Sequence, residues 1–139
     1  MNDFQNGLIR DIMQTEIRTI APDATARTAL GVMSDSGMSC LIVEPGDPSQ
    51  GIGILTQKDL VAAVFDRYDG LDNARVSELM TSPSVTIPPD FTIGTSVAMM
   101  RNTGIRRVPV VEDGKLVGIV SLTDVFRRAA ATLLACDAA

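Results

Sequence analysis

Apolar and polar positions follow the same order twice along this chain. After residue 25, apolar residues fall at positions 26, 30 and 33, and after residue 92 they fall at positions 93, 97 and 100. Steps of four and three residues predict two helices that each bury one face. Gly37 and Gly104 come next and predict a left-handed residue at the end of each helix.

Apolar runs after each glycine predict two pairs of strands, and a second helix follows each pair. The runs are CLIV (40–43) with GIGIL (51–55), and VPVV (108–111) with LVGIV (116–120). The EDGK sequence between the last two runs predicts a tight hairpin, since Asp-Gly accepts positive φ angles. The later helices start at a Ser/Thr-x-x-Asp motif, with inner faces at Leu60 and Val64, and at Val125 and Ala129.

The repeated order reflects an internal duplication. Shifting the chain by 67 positions places IRDIM (9–13) on VSELM (76–80) and TIAPDAT (19–25) on TIPPDFT (86–92), with ten identities over residues 9–43. Each copy opens with a helical turn ending at Met13 or Met80, continues with an extended stretch, and then reads helix, strand, strand, helix. We therefore predict two β-α-β-β-α copies at 8–68 and 75–131, with residues 66–75 as a linker. Their sheets are expected to pack face to face, because a three-stranded sheet of about 60 residues has a small core.

Composition narrows the possible functions. The chain has 139 residues, a net charge of −5, no histidine and no tryptophan, and few aromatic residues. Negative charge disfavours nucleic-acid binding, and the lack of histidine removes the most common general base and metal ligand. We expect no membrane span, secretory signal or metal site. Cys40 and Cys136 are too few for a disulfide framework, which favours a cytoplasmic location.

The sequences GILTQKDL (53–60) and GIVSLTDV (118–125) raise a question of function. Thr56 with Asp59, and Ser121 with Asp124, have the spacing of a capping box, in which side chain and backbone satisfy each other at a helix start. The same N-terminus, with unpaired N–H groups and a positive dipole, also favours anions. From the residues alone, the motif fits either a cap or a binding site.

Taken in order and twice, these motifs resemble a tandem pair of cystathionine-β-synthase (CBS) domains. They are the opening h-x-[DE]-h-M, the T-I-x-P-D-x-T turn, the sequence GIRRVPVVEDGKLVGIV and the terminal [ST]-x-x-D. The resemblance implies a stand-alone pair with pseudo-twofold symmetry that binds AMP, ADP or ATP, and possibly NAD or S-adenosylmethionine, in clefts between the repeats. It also implies a regulatory module without catalysis or a required cofactor, acting on an unknown protein and forming a homodimer.

The resemblance implies two sets of ligand-binding residues. In the family the motif aspartate accepts hydrogen bonds from ribose hydroxyls, the Ser or Thr lies near phosphate, and a basic residue in the preceding strand reaches phosphate. Cys40 replaces this basic residue in the first copy, so the second copy is expected to hold the main site. The main site comprises Thr86, Ile87, Arg106, Arg107, Val108, Pro109, Ser121 and Asp124. The weaker site comprises Thr19, Ile20, Cys40, Leu41, Thr56 and Asp59.

Two other functions are compatible with parts of the sequence. A structural dimerisation module without ligand would fit the poorer first copy. An enzyme using Asp124 with Ser121 or Thr123 would lack histidine and a phosphate-binding glycine loop. For the dimer, we expect an apolar helix surface made by Ala62, Ala63, Phe65, Val125, Phe126 and Ala129.

Overall fold

The chain forms two compact units in a computed structural model that describes residues 4–47, 50–66 and 70–138. One unit is Ile17–Ser84, and the other combines Met1–Glu16 with Val85–Ala139. The predicted boundary at residue 68 and part of the predicted linker lie outside the described residues, as does the side chain of Cys136. The predicted mixed α/β fold class is confirmed, and the predicted β-α-β-β-α order is complete in the first copy.

In its described residues, the unit Ile17–Ser84 contains a three-stranded sheet and three helices. Strand β2 is central: it runs parallel to β1, with Thr19 opposite Ile42, and antiparallel to β3, with Leu41 opposite Leu55. In chain order the elements are β1 (Thr19–Ile20), α1 (Ala26–Ser36), β2 (Cys40–Val43), β3 (Gly53–Thr56), α2 (Gln57–Asp66) and α3 (Val76–Leu79).

The second unit repeats this plan with a smaller sheet. The strand expected near residue 87 is reduced to one parallel bridge, in which Ile87 donates its N–H to Pro109 and accepts from Val111. Two 3-10 turns, Phe4–Asn6 and Ile9–Asp11, open the unit. Its other elements are α4 (Ile93–Thr103), β4 (Arg107–Glu112), β5 (Lys115–Ser121) and α5 (Leu122–Ala138).

Helix ends and the hairpin form where the sequence predicts them. Gly37 and Gly104 end α1 and α4 in the left-handed region, with φ of 69° and 74°. Asp113 and Gly114 have φ of 53° and 78°, the paired positive values of a two-residue hairpin turn between β4 and β5. These local signals set the C-terminal ends of α1 and α4 and the turn between β4 and β5.

The buried face of α1 differs from the prediction at one position. Ala26, Ala29 and Met33 are buried, whereas Leu30 is 40% exposed. The predicted set, 26, 30 and 33, and the observed set, 26, 29 and 33, both fit one face of a helix. Which set is buried depends on which side of that face packs against the sheet. Leu30 instead lines an open groove of about 340 Å³ between α1 and α2, together with Phe65 and neighbouring apolar residues. In α4 the buried set is Ile93, Ser96 and Met100.

The predicted dimer surface is also only partly exposed. Ala63 and Val125 are buried in their units, at 6% and 9% exposure, because they lie on the inner sides of α2 and α5. Phe65 and Phe126 are 79% and 70% exposed. Val64, predicted to be on an inner face, is 46% exposed and lines the groove between α1 and α2.

Each copy's opening segment packs on the body of the other copy. Ile9 donates its N–H to Phe91 at 2.9 Å, and Val76 donates to Ala24 at 2.8 Å. Ile9 and Val76 are both fully buried in the cores of these units. The sequence copies and the compact units therefore do not coincide, because the opening segments are exchanged.

An exposed ion pair joins α1 to the segment before α3. Arg27 Nε lies 2.7 Å from Asp72 Oδ1, and both side chains are mostly exposed. The hydrogen bond from Arg27 lowers the pKa of Asp72, and the same bond raises the pKa of Arg27. Within the unit Ile17–Ser84, this contact holds the segment before α3 against α1.

Candidate functional site

The Ser121–Asp124 motif forms a capping box at the start of α5. Asp124 Oδ2 accepts hydrogen bonds from the Ser121 backbone N–H at 2.8 Å and from Ser121 Oγ at 2.9 Å. Ser121 Oγ in turn accepts from the Asp124 backbone N–H at 3.2 Å. Asp124 is 8% exposed, so these bonds hold a nearly buried carboxylate in one orientation. The capping reading of the sequence is correct for this copy.

The first copy builds the same box at the start of α2. Asp59 Oδ2 accepts from the Thr56 N–H at 2.8 Å and from Thr56 Oγ1 at 3.0 Å. Thr56 Oγ1 accepts from the Asp59 N–H at 3.3 Å. Each aspartate therefore uses one oxygen for the cap, and its other oxygen is available for a further partner.

The two aspartates differ at this other oxygen. Gln14 Nε2 donates to Asp124 Oδ1 at 2.9 Å. Thr81 occupies the position equivalent to Gln14 in the second copy's opening segment. Within the described residues, no side chain donates to Asp59 Oδ1, and the short Thr81 makes no such bond.

The backbone holds Gln14 beside the motif. Gln14 exchanges two hydrogen bonds with Ile119, at 2.8 and 2.9 Å, and Thr81 exchanges two with Ile54, both at 3.0 Å. Ile119 on β5 and Ile54 on β3 lie two residues before the Ser121 and Thr56 of the capping boxes. The opening segments thus add one antiparallel bridge to the strand that leads into each aspartate.

A glycine in each motif permits this close approach. An ideal Cβ placed on Gly118 would lie 2.6 Å from Met13 Sδ, and one on Gly53 would lie 2.7 Å from Met80 Sδ. Any larger residue would displace the methionine that ends the opening segment. The glycine of the motif and the opening methionine are therefore two sides of one contact.

The main predicted site divides into side chains near the motif and side chains in the core. Arg107 is half-buried and lies opposite Ser121 in the pairing of β4 with β5. Arg106 is exposed, and its backbone carbonyl accepts from the Leu122 N–H at 3.0 Å. The structure thus brings both arginines to the start of α5. The other residues are an exposed Thr86 and the buried Ile87, Val108 and Pro109.

The weaker predicted site has the same backbone plan with different chemistry. Cys40 lies opposite Thr56 in the pairing of β2 with β3, which is the place that Arg107 takes in the second copy. Its side chain is half-buried. This position supplies no cation beside Asp59. The remaining residues are an exposed Thr19 and the buried Ile20 and Leu41.

Sequence reasoning missed Gln14 because its comparison of the two opening segments ended at Met13 and Met80, one residue before Gln14 and Thr81. The signal was present, since the 67-residue shift places Gln14 on Thr81 directly after the aligned methionines. Among the residues that the structure describes, no three His, Cys, Asp or Glu side chains are grouped to hold a metal ion. No helix in this described part is long and apolar enough to cross a membrane.

Comparison with known proteins gives consistent matches over most of the chain. The sequence profile of the CBS domain matches twice, at residues 9–66 and 76–131. The CBS domain-containing protein YhcV of Bacillus subtilis is 31% identical over 84% of this chain and 81% of its own. Arabinose 5-phosphate isomerase KdsD of Yersinia pestis is 33% identical over 86% of this chain, which spans 36% of that enzyme.

Solved structures match as well. A hexameric CBS-CP12 protein from bloom-forming cyanobacteria has 30% identity and a TM-score of 0.82, covering 90% of this chain and 69% of its own. Several curated relatives are longer than this chain, which spans 61%, 36% and 65% of three of them.

Proposed function

Because this chain belongs to the CBS domain family, whose pairs are generally regulatory, ligand-binding modules, we propose that it is a non-catalytic sensor of adenosine-containing ligands. AMP, ADP and ATP are the proposed ligands, and NAD and S-adenosylmethionine share the adenosine part. This chain corresponds to about a third of KdsD, so the similarity gives no reason to propose that enzyme's activity here. The few cysteines support a cytoplasmic location.

The observation that carries this proposal is that Asp124 and Arg107 both lie at the start of α5, where Arg107 is opposite Ser121 of the capping box. Asp124 is nearly buried and held by its capping box, so it presents a fixed acceptor for ribose hydroxyls. Arg107 lies across the strand pair from Ser121 and supplies the positive charge that a phosphate needs. The start of the 17-residue α5 adds the positive end of a helix dipole, which favours an anion.

The second copy is the proposed main site. Cys40 stands where Arg107 stands in the second copy, so the first copy lacks this phosphate partner. A charge-assisted hydrogen bond contributes about 1.5–3 kcal/mol, which corresponds to roughly tenfold or more in affinity. A ligand without phosphate would feel this difference much less.

Calorimetric titration of AMP, ADP, ATP and adenosine tests the proposal. We expect dissociation constants of roughly micromolar to millimolar, about −8 to −4 kcal/mol. Asp124→Ala should weaken all four ligands by about 1–3 kcal/mol, because all carry the ribose. Arg107→Ala should weaken the three nucleotides more than adenosine, and Asp59→Ala should have less effect than Asp124→Ala.

Arg101→Ala is the matched control, because it removes one exposed arginine from α4 and leaves both motifs intact. It should reproduce only the general effect of net charge. Loss of binding in Asp59→Ala with full binding in Asp124→Ala would show that the first copy holds the main site. Absence of heat with all four ligands would reject the proposal.

The proposed mechanism is a population shift that a partner protein detects. A ligand changes the balance between two conformations only through its different affinity for them. At saturation, a tenfold difference in affinity shifts the equilibrium constant tenfold, about 1.4 kcal/mol. The partner and its pathway need to be sought by experiment.

A structural association module is the second candidate. The exposed Phe65 and Phe126, with the open groove between α1 and α2, favour it, because apolar patches of this kind commonly mark interfaces. One similar solved structure is described as hexameric. From the exposed phenylalanines we propose a homodimer as the state of association of this chain. A thermal-shift screen distinguishes the candidates, since adenine nucleotides should raise the melting temperature only of a ligand-binding module.

A further inference from the structure

The two motif aspartates have different numbers of acceptor positions left for a ligand. An ionised carboxylate offers about four lone-pair positions, two on each oxygen. In both copies the cap uses the two positions on Oδ2. On Oδ1 of Asp124, Gln14 takes one of the remaining two. Within the described part of the chain, Oδ1 of Asp59 keeps both.

We propose that Gln14 is an intramolecular competitor for the ribose hydroxyls at Asp124, and that Thr81 leaves the equivalent oxygen of Asp59 open. This inference rests on the proposed function and assigns a residue outside the motifs to the control of ligand affinity. A ribose 2′,3′-diol brings two donors to the carboxylate. With Gln14 in place, Oδ1 of Asp124 can receive one of them, so full binding requires the Gln14 amide to leave.

The structure fits Gln14 to this role. Its backbone is fixed by two hydrogen bonds to Ile119 and by the contact of Met13 with Gly118, so the side chain always begins within reach of Asp124. Its side chain as a whole is exposed, so it can rotate into solvent without disturbing the core. The competitor is therefore tethered by its backbone and released by a side-chain rotation.

The expected effect follows from the population of the open side chain. The apparent dissociation constant rises by the inverse of the fraction of molecules in which Asp124 is open. A hydrogen bond from an exposed amide to a carboxylate should keep that fraction between about a third and a tenth. Removing the amide should therefore tighten AMP binding about three- to tenfold.

Calorimetric titration of AMP and 2′-deoxy-AMP tests the inference with two variants. Gln14→Met keeps the length of the side chain and removes its donor, and Gln14→Thr copies the residue found at position 81. Both should tighten AMP about three- to tenfold. The gain in affinity should be smaller for 2′-deoxy-AMP. This ligand brings only one ribose hydroxyl, which can donate to the position on Asp124 Oδ1 that Gln14 does not occupy. Gln50→Met, at an exposed loop glutamine, is the control and should change neither.

The reciprocal change installs the competitor in the other copy. In an Asp124→Ala background, which leaves the first copy to bind, Thr81→Gln should weaken AMP about three- to tenfold. An unchanged dissociation constant in that background would contradict the inference. A gain in Gln14→Met that is equal for AMP and 2′-deoxy-AMP would also contradict it, because it would indicate a general structural effect.

The outcomes separate this inference from the proposed function. If Asp124→Ala weakens AMP binding as expected but Gln14→Met leaves the dissociation constant unchanged, the proposed function stands and the role of Gln14 is refuted. If AMP binds measurably only after Gln14→Met, both are supported. If AMP binds neither the wild type nor any variant, both fall.

Discussion

Replacing Gly118 with alanine tests whether the opening segment is held by direct contact with the motif strand. The new Cβ would lie 2.6 Å from Met13 Sδ, 2.9 Å from Met13 Cγ and 3.0 Å from the Gln14 carbonyl oxygen. The methionine can rotate, but the Gln14 carbonyl accepts a hydrogen bond from Ile119 and cannot move without weakening it. Overpacking of this kind costs about 1–3 kcal/mol. Because backbone is involved, we expect the upper half of that range.

Urea unfolding followed by circular dichroism measures the loss, read as a lower midpoint at unchanged slope. Gly31→Ala is the matched control, because Gly31 lies in α1 and a Cβ there meets nothing within 4 Å. That change should be neutral or stabilise by up to about 1 kcal/mol, since alanine favours helices. If Gly118→Ala and Gly31→Ala have the same midpoint, the close contact does not exist and the reasoning fails.

Three further predictions follow from the units, the exposed phenylalanines and the ion pair. A fragment of residues 1–70 should not unfold cooperatively, because it lacks the buried core residues of α3. A fragment of residues 17–84 should keep more helix, measured by circular dichroism. Equal helix content in the two fragments would contradict the exchange of opening segments. Sedimentation at tens of micromolar protein should show a dimer of 14.8 kDa chains. Phe65→Glu or Phe126→Glu should shift the monomer–dimer equilibrium towards monomer. A monomeric wild type would refute the proposed interface. The pKa of Asp72 is lowered in the folded state, so its ionised form stabilises the fold. At pH values above 3.8, Asp72→Asn should therefore cause a small loss of stability, and this loss should vanish as the pH falls below 3.8. A constant difference down to about pH 2 would exclude the ion pair as its cause.

Local signals predicted the elements well because each depends on a few neighbouring residues. Gly37 and Gly104 end their helices since glycine accepts the left-handed conformation, and the Asp113-Gly114 turn follows the same rule. The capping boxes at Thr56 and Ser121 depend on a spacing of three residues. Such features are encoded within one turn of chain.

Features that depend on distant residues were not predicted. Leu30 fits a buried stripe by spacing, yet only the arrangement of α1 and α2 decides that it lines a groove. The hydrogen bond from Gln14 to Asp124 joins residues far apart in the sequence and requires the exchanged opening segments. The ligand roles of Arg107 and Asp124 remain predictions, because placement beside a helix start gives proximity and not occupancy.

The exchange of opening segments sets an order for building the protein during synthesis. The described buried core of residues 17–84 is made of residues from within that range, so this inner unit can fold as soon as it leaves the ribosome. Within the leading segment, residues 4–16, Gln14 must wait for Ile119, which is made about 100 residues later, or roughly 5–20 seconds at common translation rates. In the last part of that interval, after Ser84 has been made, a nascent chain carries a finished inner unit and a leading segment that is not yet paired. Chaperones and proteases would therefore meet the leading segment, and not the inner unit, as the vulnerable part of the young chain.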